Sequence, residues 1–306
     1  MNERPARAPA RDCDRDRGAA GPGLALLAVV IWAAWLPATR AAIGDGLGPV
    51  DIALLRYAVP AAMLAPVCRR IGLLPKGVPR PLLLAMFCWG APFVLLLAAG
   101  LQRASVAHTA ALVPCTMPVI AAAASWVFYR ETIPRERRIG IALIALAALC
   151  VIGSVLAGGG GGTDFATIGL LLLASAGWAA YAVAYRRSGL TAVEAAAVVF
   201  AWSALLLVPL ALWSGTGLMR LPLPSLLFHI TAQGILSGFV ATIAFGLAIN
   251  RLGAPRAASF SVLVPVLATL LAVFWLGETP SPLDGIALAI GTLGVAVVNG
   301  VVTLGR

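Results

Sequence analysis

Long runs of apolar residues, separated by short polar segments, make up most of the chain between residues 23 and 302. A helix needs roughly 20 apolar residues to cross a hydrocarbon core about 30 Å thick, and it satisfies its backbone hydrogen bonds internally, as a bilayer requires. The pattern predicts ten transmembrane helices, at residues 23–43, 50–68, 81–101, 104–128, 139–157, 166–186, 191–213, 227–249, 254–276 and 283–302. The predicted fold class is therefore an all-α integral membrane protein.

The composition excludes two other classes of protein. Hydrophobic residues make up 61% of the chain and charged residues 11%, whereas a soluble domain is usually about half apolar and about a quarter charged. Disorder of the whole chain is excluded because it requires low hydrophobicity and high charge. The five cysteines show no spacing typical of a disulfide framework or a metal site. We therefore expect no metal site and no cofactor, and the absence of a Walker A sequence argues against ATP-driven transport by this chain.

The positive charges predict the orientation in the membrane. If the N-terminus is cytoplasmic, 18 of the 22 Lys and Arg residues fall in cytoplasmic segments, and only Arg103 and Arg220 fall in outer loops. By the positive-inside rule, both termini of this multi-pass protein are predicted to be cytoplasmic, in the cell inner membrane. This topology also accounts for the net charge of +10, so no nucleic-acid partner is expected. The first apolar run is too long for a signal-peptide core and is interpreted as an uncleaved span.

The sequence contains an internal repeat. Residues 23–40 align with residues 169–186, and ten of the eighteen positions are identical, with Trp32 over Trp178 and Arg40 over Arg186. Further matches near this offset are Pro118-Val119 thirteen residues before Glu131-Thr132, Pro265-Val266 thirteen residues before Glu278-Thr279, and Gly-Ile-Ala-Leu at 140–143 and 285–288. Each copy has five spans, an odd number, so the second copy must enter the membrane in the opposite orientation. Inverted repeats of this kind are typical of secondary transporters.

The repeat divides the chain into five regions. We predict a disordered cytoplasmic tail at 1–22, a first five-helix repeat at 23–157, a Gly-rich linker at 158–165, a second five-helix repeat at 166–302 and a cytoplasmic C-terminus at 303–306. The linker has no Lys-Ser or Lys-Thr ending, which distinguishes it from a phosphate-binding loop.

These features resemble the drug/metabolite transporter superfamily, and within it the ten-helix EamA-type members. The resemblance rests on the five-plus-five arrangement, the aromatic-rich first and sixth spans, and the Pro…Glu endings of the fourth and ninth spans. Leu55-Arg56-Tyr57 is similar to the Arg-aromatic step of the second span in that family. The resemblance covers roughly residues 20–302. It implies a proton- or exchange-coupled carrier, often an exporter of amino acids, metabolites or amphiphilic drugs.

Two aromatic stripes are the candidate substrate path. An inverted-repeat carrier is expected to bind its solute near the midplane, between the two halves. The stripes recur at positions i, i+3 and i+7 of the first and sixth spans: Trp32, Trp35 and Thr39, and Trp178, Tyr181 and Tyr185. We hypothesise that they offer stacking and cation–π surface to an aromatic or cationic solute. Ordinary helix packing is the alternative interpretation.

Two arginines lie inside predicted spans. Arg40 and Arg56 are placed in the outer parts of their helices, near Asp45 and Asp51. A charge at mid-bilayer costs about 2.5–3.5 kcal/mol on insertion scales. They are therefore candidates for a charged cluster at the outer mouth, and the alternative is that they snorkel to the interface and pair with the two carboxylates.

Proline and titratable residues bear on the transport mechanism. Pro114, Pro118 and Pro265 are hinge candidates, because proline removes a backbone donor inside a helix; a static role in helix shape is the alternative. No Asp or Glu lies in the middle of a predicted span, which argues against proton coupling through a deep carboxylate, and facilitated diffusion or exchange stays open. His108 and His229 could titrate near neutral pH, but both lie near outer helix ends.

The predicted function is a secondary transporter that moves a small organic solute across the inner membrane by alternating access, in the export direction. Its expected partners are the lipid bilayer and a small-molecule substrate. A non-transporting membrane sensor or scaffold is the first alternative. A membrane-embedded enzyme is less favoured, because the two His residues are far apart and no span contains a central acid.

Overall fold

The structure, a computed structural model, describes residues 12–156 and 163–302, and within these ranges it contains helices and no strands. A 3₁₀ turn covers Leu218–Arg220, and a π-helical segment, Ile230–Val240, joins α11 to α12. The α-helices are α1 Asp12–Gly44, α2 Pro49–Met63, α3 Ala65–Ile71, α4 Arg80–Phe87, α5 Ala91–Leu101, α6 Val106–Leu112, α7 Met117–Tyr129, α8 Arg135–Ser154, α9 Phe165–Ser188, α10 Ala192–Ser214, α11 Leu223–His229, α12 Ala241–Leu252, α13 Ala254–Phe260, α14 Leu263–Leu276 and α15 Pro282–Val298.

The described helices are apolar enough for a membrane protein. Eight helical segments of the described ranges are long and apolar enough to cross a bilayer, and a ninth is obtained if α2 and α3, bent by 68°, form one span. The predicted tenth span corresponds to α15, an apolar helix of 17 residues. Large apolar side chains such as Leu212 and Phe274 are 81% and 85% exposed. Such an exposed surface suits lipid contact and would be unusual in water.

Besides the bent second span, three of the predicted spans are broken helices. The third consists of α4 and α5, the fourth of α6 and α7, and the ninth of α13 and α14. In the third span, Gly90 lies so close to α10 that a Cβ atom would be 2.3 Å from Ser203 Oγ. The backbone N–H of Ala91 donates to the same Ser203 Oγ at 2.9 Å. A side chain of the other repeat therefore satisfies a donor that the break would leave free.

The packing of helices respects the repeat. The first copy comprises α1–α8 and the second α9–α15. Helix α1 packs on α12 and α14, and its counterpart α9 packs on α4, α5 and α7, the equivalent helices of the other copy. Two further contacts join counterparts directly, α2 with α10 and α8 with α15. These contacts of one copy thus have counterparts in the other copy.

Counterpart helices run antiparallel. Gly294, late in α15, lies beside Gly140 and Ile144, early in α8. At the other ends of these helices, Ser154 and Ser281 Oγ atoms are 3.1 Å apart. The second and seventh spans behave alike: Asp51, at the start of α2, accepts a hydrogen bond from Thr216, just after α10, and Arg70 of α3 pairs with Glu194 at the start of α10.

Helix α1 begins at Asp12, before the predicted start of the first span at residue 23. Residues 12–22, which the sequence assigns to the predicted disordered tail, are therefore helical in the structure. Residues 1–11 of that tail, residues 158–162 of the linker and the C-terminal residues 303–306 lie outside the described residues. At the end of the linker, Asp164 caps α9 by accepting the N–H of Thr167 at 2.7 Å.

Candidate functional site: an aromatic cavity between the repeats

A cavity of about 430 Å³ lies between the two copies of the repeat. Both copies contribute to its wall, for example through Trp32 of α1, Phe93 of α5, Met117 of α7, Trp178 of α9 and Phe245 of α12. This volume is within the range of pockets that bind small organic molecules.

Aromatic rings form a continuous wall of the cavity. Trp89 stacks on Tyr181 with ring centroids 4.6 Å apart, and Phe93 lies 6.0 Å from Trp178. Tyr181 and Tyr185 are parallel at 5.7 Å. Pairs at these distances stabilise each other beyond their buried area. The wall is therefore built of rings that pack against one another.

The structure places five of the six predicted path residues at the cavity: Trp32, Trp35, Trp178, Tyr181 and Tyr185. The sixth, Thr39, is fully buried away from it. Its hydroxyl donates to the carbonyl of Trp35 at 2.8 Å and accepts from Gln233 Nε2 at 3.2 Å. Thr39 thus joins α1 to the π-helical segment beyond the cavity.

Two aromatic residues of the cavity were not predicted from the sequence. Trp89 and Phe93 lie in the third predicted span, on either side of the break at Gly90, and both line the cavity. Their spacing of four residues in one apolar segment was the available signal. It is weak because an aromatic pair at this spacing is common on any buried helix face.

Arg56 of α2 lies deeper than the sequence analysis suggested. Its side chain lines the cavity and the residue is 4% exposed. The guanidinium stacks on the ring of Trp35, with Cζ 3.9 Å from the ring centroid, and donates to the hydroxyl of Ser237. The predicted pairing with Asp51 is not observed, because the Asp51 carboxylate accepts from Thr216 and from Gly217 N–H.

Arg40 lies at the end of α1 away from the cavity wall. Its Nη1 donates to the carbonyl of Leu101 at 2.6 Å, and its Nε is 3.9 Å from Glu278 Oε1. The predicted partner Asp45 instead accepts from His229 Nε2 at 2.7 Å, if that nitrogen carries the proton. Burial raises the pKa of Glu278, while the N–H of Val106 and the charge of Arg40 act in the opposite direction.

The contacts around Arg40 belong to a polar cluster that we call the outer seal, defined by Arg40–Glu278, Asp45–His229, Asp51–Thr216, Arg103–Asp164 and His108–Asp284. Four of these pairs join one repeat to the other, and Arg103 pairs with Asp164 at the end of the linker. His108 is 1% exposed and also contacts the hydroxyl of Thr163 at 2.9 Å. Buried hydrogen bonds of this kind are costly to break.

The opposite end of the cavity is open to solvent. It is lined by the exposed residues Thr132, Arg137 and Arg186, together with Glu131. The Glu131 carboxylate accepts from Arg186 at 3.2 Å and from Arg187 at 2.6 Å. These pairs are solvent-exposed, and exposed ion pairs contribute little to stability. The closed end of the cavity therefore contains a fully buried pair, His108–Asp284, whereas the open end is bordered by exposed pairs.

The prolines proposed as hinges lie at two helix breaks. Pro114 is in the break between α6 and α7, and Pro118 is the second residue of α7; both line the cavity. Pro265 is the third residue of α14, just after the break that follows α13, and it is buried. Their role as hinges stays a prediction.

No group of three His, Cys, Asp or Glu side chains in the described part of the chain is arranged to hold a metal ion. The cavity wall is dominated by aromatic and aliphatic side chains, with a few polar groups at defined places. This arrangement is typical of a binding pocket for an organic solute.

The architecture defines a multi-pass helical membrane protein with a solute-sized cavity between two repeats. The sequence profile of the EamA-like transporter family matches residues 19–153 and again residues 165–300. The chain belongs to the EamA-like transporter family, and it is a membrane transporter.

Individual relatives agree with the family. The chain is 29% identical over 298 residues to a "Probable terminal-alkyne amino-acid exporter" of Streptantibioticus cattleyicolor, covering 92% of this chain and 93% of that protein. It is 25% identical over 293 residues to the "Uncharacterized transporter YdfC" of Bacillus subtilis, covering 91% and 87%. A solved crystal structure with 20% sequence identity superposes with a TM-score of 0.62, covering 91% of this chain and 99% of that one, and supports the fold.

Proposed function

We propose that this protein is a secondary transporter that exports a small amphipathic organic solute, such as an amino acid or another metabolite, across the inner membrane by alternating access. The observation that carries the proposal is the aromatic cavity between the two repeats, open at one end and closed at the other. A carrier with alternating access requires such a site between two bodies that can rock against each other.

The antiparallel packing of counterpart helices supports an inverted repeat. Helices α8 and α15 are counterparts and run in opposite directions, as do α2 and α10. Two copies related in this way give a structure in which either end can form the same kind of seal. The proposed topology has ten spans, with α2 and α3 as one bent span and α15 as the last.

The open end of the cavity gives the conformational state. The loop between α7 and α8 carries Arg130, and the first turn of α8 carries Arg135, Arg137 and Arg138; Arg137 lines the open mouth. The positive-inside rule assigns this loop to the cytoplasm. We therefore propose that the structure represents an inward-open state, in which the outer seal separates the cavity from the exterior.

The export direction and the solute class are supported by the relative from Streptantibioticus cattleyicolor, which is described as an amino-acid exporter. An amino acid with an apolar side chain suits a wall that combines aromatic rings with one buried arginine. An inward-open cavity is also the state in which an exporter collects its solute from the cytoplasm.

The topology can be tested with single cysteines in the loops that follow α7 and α14. A cysteine replacing Thr132 and one replacing Thr279, which occupy equivalent positions in the two repeats, should react with a membrane-impermeant maleimide from opposite sides of the membrane. In intact cells, only the second should be labelled. Labelling of both from the same side would contradict the inverted repeat and, with it, alternating access between two such halves.

The cavity aromatics provide a transport prediction. Trp32→Ala and Trp178→Ala should each lower flux about twofold to tenfold, because an aromatic contact contributes about 0.5–1.5 kcal/mol beyond its buried area. Flux is measured in proteoliposomes with a panel of amino acids, nucleobases and lipophilic cations, with and without a pH gradient. Trp213→Ala is the matched control, because Trp213 is 87% exposed on the outer surface of the helices. Wild-type flux in both cavity variants would argue against the site.

A further inference from the structure

We propose that the transported solute carries a carboxylate and that Arg56 is the residue that binds it. The inference rests on the proposed transport function and narrows its substrate to small organic acids with an apolar body, amino acids among them. It is carried by the surroundings of Arg56 and by two further polar atoms in the same cavity.

Arg56 is a buried charge without a carboxylate partner among the described side chains. It takes part in none of the ion pairs that those side chains form. The two nearest acids in sequence are engaged elsewhere, Asp45 with His229 and Asp51 with Thr216. A buried charge is costly unless it is paired, and Arg56 borders the cavity, a space that could admit a partner.

The contacts that Arg56 does make orient its guanidinium and leave donors free. The Trp35 ring covers one face, and one N–H group donates to Ser237. A guanidinium has five N–H donors in a planar fork that fits a carboxylate with two parallel hydrogen bonds. These neighbours hold the fork in place without neutralising its charge.

Two other polar atoms at the cavity, Trp32 Nε1 and Thr242 Oγ1, are buried and have no hydrogen-bond partner among the residues that the structure describes. Both residues line the cavity. An indole N–H can only donate, so the atom that satisfies Trp32 must be an acceptor. Buried polar groups are nearly always paired in proteins. An oxygen-bearing solute would supply the acceptor that Trp32 lacks.

The remaining charges at the cavity also favour an anion. The other charged residues of the lining are Arg137, Arg186 and Glu131, and the Glu131 carboxylate is already held by Arg186 and Arg187. The electrostatic potential inside the cavity is therefore positive. The aromatic wall can accommodate the apolar part of the solute, whereas a solute with only a cationic group would meet Arg56 unfavourably.

The proposal is tested with four compounds that share one aromatic body: phenylalanine, 3-phenylpropanoate, phenylalaninamide and phenethylamine. Binding to the purified full-length protein is measured by calorimetry. The two carboxylates should bind at least about tenfold more tightly than the amide and the amine, since hydrogen bonds to charged groups are the stronger ones. Arg56→Gln should remove this preference. It should lower the affinity for both carboxylates about tenfold or more, and the affinities for the amide and the amine should stay within about twofold of the wild-type values.

Two variants separate binding from structure. Arg220→Gln removes an exposed arginine that does not line the cavity and should leave the affinities of all four compounds unchanged. Arg56→Lys keeps the positive charge but lacks the planar fork of N–H donors, so it should lower the affinity for the two carboxylates only. This variant replaces Arg56→Gln in the test if Arg56→Gln does not fold. Equal loss of all four compounds in a folded Arg56 variant would show a structural role for Arg56 and overturn the proposal.

The experiments distinguish failure of the carboxylate proposal from failure of the proposed transport function. If phenethylamine binds as tightly as phenylalanine and is transported, the solute does not need a carboxylate. The carboxylate proposal is then rejected, and the proposed transport function is retained. If the wild-type protein binds none of the four compounds, the carboxylate site is rejected. If it also shows no flux for any compound of the wider panel, the transport function is rejected with it.

Discussion

Replacing Gly140 with alanine is expected to lower the free energy of unfolding by about 1–3 kcal/mol, the usual cost of overpacking. A Cβ atom at Gly140 would lie 2.8 Å from the backbone oxygen of Gly294 and 2.7 Å from Val298 Cγ2. The contact at Gly294 is equally close, with Ile144 Cγ1 at 2.7 Å and the Gly140 oxygen at 2.9 Å. Because backbone atoms form part of both contacts, α8 and α15 must move apart to admit either side chain.

The matched control is Gly285→Ala, in the first turn of α15, the helix that packs on α8. A Cβ atom at Gly285 would meet nothing within 4 Å. This variant should be as stable as the wild-type protein or more so, since alanine is favoured over glycine in a helix by about 1 kcal/mol. Stability is measured as the temperature at which the monodisperse peak is lost on size-exclusion chromatography. Equal stability of the Gly140 and Gly285 variants would contradict the close crossing of these helices.

The sequence predicts the class of protein and the repeat because both depend on patterns that a single chain displays. Apolar length and the distribution of arginine require no tertiary information, and the match between residues 23–40 and 169–186 is visible directly. The stripe of Trp32 and Trp35 could also be anticipated, since residues three apart share a helix face. Thr39 follows the same rule but lies beyond the cavity, because periodicity gives a face and not a depth.

The polar contacts between the repeats could not be predicted from the sequence. His108 and Asp284 are 176 positions apart, and no local pattern pairs them. Arg56 was expected to pair with a nearby acid, yet Ser237 and Trp35 are its contacts. The contacts of Arg56 with Ser237 and Trp35 could not be predicted, because these partners lie on other helices and compete with the acids that are close to Arg56 in sequence. Asp51 is bound by backbone and hydroxyl donors across the interface with α10 instead.

The two ends of the cavity differ in how strongly they are closed, and this difference sets the expected effect of mutations on the conformational equilibrium. At the outer seal, His108 and Asp284 are buried and 2.8 Å apart. At the open mouth, the pairs of Glu131 are exposed. Leaving a buried acceptor without its partner costs about 1–3 kcal/mol, whereas an exposed ion pair is worth about 0–1 kcal/mol. Substitutions at the outer seal should therefore shift the balance more.

His108→Leu is accordingly expected to increase the outward-open population about 5-fold to 150-fold, the range that corresponds to 1–3 kcal/mol. The readout is a cysteine replacing Leu36, a cavity residue of α1, in a background without native cysteines. A membrane-impermeant maleimide added to intact cells should label this cysteine slowly in the parent protein and much faster with His108→Leu. Asp284→Asn should act in the same direction, and Glu131→Gln should leave the rate unchanged. If Glu131→Gln accelerates outside labelling as much as His108→Leu, the outer seal is not what closes the cavity.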